Sequence, residues 1–126
     1  MATALDMVTR ALRIAGVLAA EHTASAPRAQ AALDALNGMM FGLEARGIRL
    51  DHTALALADT VNLPDANIEP LTWMLAAQLG LEFGIPRQDV TAEAARHERA
   101  LKATYAHVPE ALLDSAYARS SARGVW

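Results

Sequence analysis

Three observations predict an all-α fold for this chain of 126 residues. About a quarter of the residues are alanine, the strongest helix former, with leucine next. Strand-favouring β-branched and aromatic residues are scarce, the aromatics making up 5%. Apolar residues also recur three and four positions apart through most of the chain. The expected architecture is a four-helix bundle-like core. A short extended or β-ribbon segment lies between the second and third helices, and an extended tail closes the chain. Residues 1–107 form the helical domain and residues 108–126 the tail.

The first helix is expected over residues 3–20. Leu5, Val8, Leu12, Ala15 and Ala19 trace its stripe, widened by Ala4, Ala11, Ile14 and Leu18. Thr3 is the N-cap, with Asp6 at the positive helix end. Gly16 reads as a point of close approach by a neighbour. After a turn over residues 21–26, Ser25 caps a second helix that carries Pro27 in its first turn. Ala29, Leu33, Leu36, Met40 and Leu43 hold the helical period to Arg46, and Gly47 stops it. The short connection predicts an antiparallel hairpin.

From Ile48 to Asn67 the period falls near two, with Leu55, Leu57, Val61 and Leu63 alternating with small or polar residues. A two-stranded ribbon and an extended loop laid over the helices both fit. Asp65 or Asn67 caps the third helix, which has Pro70 in its first turn. Ile68, Leu71, Leu75 and Leu79 trace one face while Trp73, Met74, Leu81 and Phe83 occupy others, the pattern of a central helix. Gly84 stops it before Ile85 and Pro86. Asp89 or Thr91 caps the fourth helix, whose stripe is Val90, Ala94, His97, Leu101 and Tyr105. Pro109 breaks the register.

Composition excludes several classes of function. Without cysteine there is no disulfide framework, thiolate zinc site or cysteine nucleophile. The formal charge of −3 argues against a general nucleic-acid binder. No run of about 20 apolar residues is present to cross a bilayer, and Arg13 inside the early apolar stretch is wrong for a signal peptide. The chain reads as soluble and not secreted.

No catalytic or cofactor-binding motif is visible, so the chain is not expected to be an enzyme, and no cofactor is expected. Glu93 and His97 share a helix face, but a structural metal site needs three or four ligands. His97 therefore reads as a seam residue bonded to a neighbour. His22, His52 and His107 fall in loops or at a helix end and read as solvated.

The tail is harder to explain as ordinary surface. Leu112, Leu113, Tyr117 and Trp126 would be costly to leave in water, and Arg119 and Arg123 accompany them. Aromatic residues and arginine together make interface anchors. Two readings are open, a tail folded back onto its own bundle or one docked on a partner, and on the second these residues form the candidate docking site.

The run Arg10-Ala11-Leu12-Arg13-Ile14-Ala15-Gly16-Val17-Leu18 is followed by Ser25, Pro27 and the helix from Ala29 through Leu33, Asn37 and Met40. Gly47 and a leucine-bearing extended segment come next. This series resembles the N-terminal helical hairpin of the head-to-tail adaptor (tail accessory, or head completion) proteins of tailed phages, which bind beneath the portal. Asp59-Thr60-Val61-Asn62-Leu63-Pro64, the helix ending Phe83-Gly84-Ile85-Pro86 and the helix ending Arg99-Ala100-Leu101-Lys102 extend the likeness to residues 5–103.

The resemblance implies a structural protein of a virion, at the head–tail junction, assembled in the host cytoplasm. Its partners would be the portal protein, neighbouring copies in a ring commonly of twelve, and the next tail component. DNA would pass through the lumen without specific binding, and no membrane is involved. Extended C-terminal segments reach the portal in this family, a role that fits Leu112, Leu113, Tyr117, Arg119, Arg123 and Trp126. The alternative is a small helical DNA-binding or regulatory module. Its best basic helix sets Arg96, Arg99 and Lys102 against Glu93 and Glu98, nearly in balance.

Overall fold

In a computed structural model that describes residues 2–48, 50 and 52–105, the chain folds into four packed helices. They are α1 (Ala4–Ile14), α2 (Ala26–Ala45), α3 (Asp65–Glu82) and α4 (Gln88–Tyr105). The central helix is α3, which packs against α1, α2 and α4. Leu71, Leu75 and Leu79 on α3 meet Val8 and Leu12 of α1 and Leu36, Met40 and Leu43 of α2 in one buried cluster. Leu101 and Val90 bring α4 into the same core.

Local chemistry sets the helix starts. Thr3 Oγ1 accepts the Asp6 N–H at 3.2 Å, and the Asp6 carboxylate accepts the Thr3 N–H at 3.0 Å, a reciprocal capping box. Those bonds hold the Asp6 carboxyl below the usual carboxylate range, the Thr3 backbone N–H contributing most. Ser25 caps α2 by accepting the Arg28 N–H at 3.4 Å. The two later caps differ from expectation. Pro64 occupies the N-cap of α3 without a side-chain bond, so Asp65 lies in the first turn. Helix α4 starts at Gln88 with Asp89 in its first turn, and the Thr91 hydroxyl donates back to the Arg87 carbonyl at 2.9 Å.

Three helices end in the same way. After α1, Gly16 takes φ +81°, its N–H bonds to the Arg13 carbonyl, and the Val17 N–H bonds to the Leu12 carbonyl. Gly47 with Ile48 closes α2, and Gly84 with Ile85 closes α3, through the same pair of bonds. This is the Schellman stop, which needs a residue free to adopt positive φ. The first helix therefore ends six residues earlier than its periodicity implied. Ala15 and Leu18 remain buried from the turn, whereas Ala19 and Leu5, both expected on the stripe, are exposed.

The segment between α2 and α3 is extended and contains no strand among the described residues. Its backbone pairs with the start of α1: Thr3 forms an isolated antiparallel bridge with Thr60, and the Leu5 N–H donates to the Leu57 carbonyl at 3.0 Å. No helix among the described residues is long and apolar enough to cross a membrane.

Candidate functional site

Leu112, Leu113, Tyr117, Arg119, Arg123 and Trp126 lie outside the described residues, as does His107. Among the described residues, three surface features are built well enough to consider as functional.

The first anchors the extended segment to α2. The Asn37 amide donates to the Leu55 carbonyl at 3.1 Å, while its oxygen accepts the Leu55 N–H at 3.0 Å. One side chain thus pairs with the backbone as a neighbouring strand would. The same oxygen lies 3.0 Å from His52 Nε2. Since the Leu55 pairing fixes that oxygen as an acceptor, His52 carries its proton on Nε2 here. The His52 N–H bonds to the Glu44 carboxylate, and its ring meets Phe41 edge-on with centroids 4.8 Å apart. The expectation of a solvated His52 is overturned: half-burial between α2 and the segment pushes its pKa below the usual imidazole value, against the pull of Glu44. His52 itself lines a cavity of about 100 Å³ together with Thr53, Thr60, Asn62, Met40 and Leu50. A space of this size is far below that of a ligand pocket.

The second feature crosses three helices. Both Arg10 guanidinium nitrogens on α1 donate to the Glu69 carboxylate on α3, one at 2.8 Å. Glu69 also accepts the Trp73 indole N–H at 3.1 Å. Trp73 stacks on His97 of α4 with centroids 5.9 Å apart, and His97 Nε2 is 3.9 Å from Glu93. The Arg10 fork holds the Glu69 carboxyl below its ordinary pKa, and Glu69 in turn raises that of Arg10. His97 does sit in the α3–α4 seam. No three of the described His, Asp and Glu residues come together as a metal site would require.

The third feature is apolar exposure. Leu5 is 43% exposed, Phe41 46%, Leu81 68% and Ile85 42%. Arg28 at the start of α2 stands over Phe83 at the end of α3, so the two helices run antiparallel. Phe41 therefore lies toward the N-terminal end of α3. Leu5 lies in the first turn of α1, two residues after Thr3, whose bridge to Thr60 ties it to the segment leading into α3. Leu81 and Ile85 lie at the opposite end, around the Gly84 stop. The exposed apolar side chains thus form two unlike sets at opposite ends of one helix.

Sequence reasoning missed the Asn37 anchor, the Arg10–Glu69 pair and the bond from buried Asn67 to the Tyr105 hydroxyl. No family model matches the chain, and no curated protein or solved structure matches it.

Proposed function

We propose that this chain is a structural head-to-tail adaptor that assembles as a ring beneath a portal, in a phage or phage-like particle. The observation carrying the reading is the sorting of exposed apolar residues into Leu5 with Phe41 at one end of α3, and Leu81 with Ile85 at the other. A self-complementary dimer repeats one patch, whereas a closed ring joins two different patches head to tail. The sequence likeness to adaptor proteins supports the same reading. The ring extends the DNA channel and joins capsid to tail, and its mildly acidic subunits let the duplex slide past. Leu112, Leu113, Tyr117 and Trp126 anchor the tail on the portal, where Arg119 and Arg123 pair with portal acids.

A DNA-binding module is less well supported. On α4, Arg96 is paired with Glu93 at 3.1 Å and Lys102 with Glu98 at 3.4 Å, which engages two of the three cations that phosphate would need.

The test is co-assembly with the portal ring of the same particle, followed by particle imaging. The full chain is expected to cap the portal as a closed ring with its symmetry. Phe41→Glu and Leu81→Glu, both at exposed positions, are expected to leave the monomer folded and to abolish the ring. A chain that never binds the portal sinks the proposal.

A further inference from the structure

Among the described residues, helices α2 and α4 flank α3 but leave one strip of it uncovered. The groove between them has a volume of about 280 Å³. Met39 lies on the α2 wall, Ala94 and Ala95 on the α4 wall, and Met74, Ala77 and Gln78 form the floor. The positions 74, 77 and 78 are spaced as one helix face and are half-buried, whereas Leu71, Leu75 and Leu79 on the neighbouring face are fully covered. Such a face is made for a further amphipathic helix.

We infer that this groove receives the chain's own C-terminal segment, residues 109–123, in the free subunit. The chain leaves α4 at Tyr105, whose hydroxyl is bonded to Asn67 at the start of α3, so it continues from one end of the groove. Residues 106–108 suffice for a reversal into a helix opened by Pro109. At helical spacing Leu112, Leu113, Ala116 and Tyr117 share a face of about 140°.

The charges run in the matching direction. At the end where the segment enters, Glu98 lies between Arg46 at 3.6 Å and Lys102 at 3.4 Å, leaving one net positive charge to meet Glu110 and Asp114. At the far end Glu82, bonded to Gln78, stands where Arg119 and Arg123 arrive. A segment running antiparallel to α4 brings Glu110 and Asp114 to Arg46 and Lys102, and brings Arg119 and Arg123 to Glu82, at the end where Arg28 stands over Phe83. On the adaptor reading, a groove-bound tail is withheld from its partner, so ring assembly on a portal begins with its release.

Because the chain has no cysteine, an engineered pair reports this geometry cleanly. In the full chain, Ala116→Cys is paired with Ala77→Cys on the floor, and separately with Ala95→Cys on the wall in case one pair perturbs folding. Ala20→Cys, in the exposed turn after α1, gives the reference rate. Under mild oxidation each groove pair is expected to form an intramolecular disulfide at least tenfold faster than the reference pair. Equal rates overturn the inference, as does a product linked mainly between chains, which puts a second copy's tail in the groove. In the cysteine-free chain, Leu112→Glu with Leu113→Glu is expected to shift the methyl resonances of Met39 and Met74, and unchanged resonances overturn the inference. Portal binding separates this inference from the adaptor reading. A disulfide that forms readily in a chain whose reduced form ignores the portal leaves the groove assignment standing and removes the adaptor.

Discussion

Leu75 in the middle of α3 and Leu55 in the segment ahead of it are both leucines turned toward the bundle, yet they are held by different means. Leu75 is fully buried in a core cluster to which all four helices contribute. Leu55 is only half-buried, and its backbone is tied down through the single amide of Asn37. Apolar burial is non-directional and spread over many contacts, so the core tolerates small shifts. A two-point amide pairing is directional and has no substitute when it is lost. The helices are thus secured by diffuse packing, and the segment by directional bonds: to Asn37 of α2 on one side and to the start of α1 at Thr3 and Leu5 on the other.

This contrast breaks most visibly if the core proves soft. Leu75→Ala is expected to lower unfolding stability by about 2–5 kcal/mol in a urea titration. A loss under about 1 kcal/mol would show that α3 is not the central helix. Asn37→Ala comes next, at about 1–3 kcal/mol, because it leaves the Leu55 N–H and carbonyl without their partner. Its sharper signature is local: limited proteolysis between Thr53 and Asp59 should accelerate well beyond what the global loss explains. Uniform acceleration across the chain would put the segment and the core in one cooperative unit. Arg10→Ala should cost about 0.5 kcal/mol, since both partners are roughly half exposed, and the difference should shrink in high salt.

The smallest effect is pH dependence from His52. Its folded pKa is depressed, so the unfolded chain binds the proton more readily below the ordinary imidazole value of 6.5. The stability it confers is complete above that value and declines as pH falls through the window below it. His52→Gln should flatten stability between pH 7 and 5.5. An unchanged slope would remove His52 from the anchor.

What the sequence disclosed and what it withheld follow the reach of each interaction. The Thr3 cap, the Ser25 cap and the stops at Gly47 and Gly84 were legible because their chemistry spans a few residues, although the return bond from Thr3 N–H to Asp6 was not read. Gly16 was misjudged because Ala15 and Leu18 keep helical spacing and remain buried after the chain has turned. Asn37 and Leu55 are 18 residues apart, Asn67 and Tyr105 38, and Arg10 and Glu69 59. No local period registers such pairs. The tail signal was compositional, a set of large apolar residues and arginines late in the chain, and composition by itself names no dock.

The stops at Gly16, Gly47 and Gly84 have a consequence for manufacture. Each helix takes its length from its own last turn, independent of what packs beside it. A part repeated around a circle must match its copies closely, since a small error in each joint accumulates before the circle closes. In the ring proposed above, local stops would bring every copy to one gauge before it met another. Replacing Gly16 with a residue that resists positive φ would disturb the fold of the subunit and, on that proposal, the closure of the ring as well.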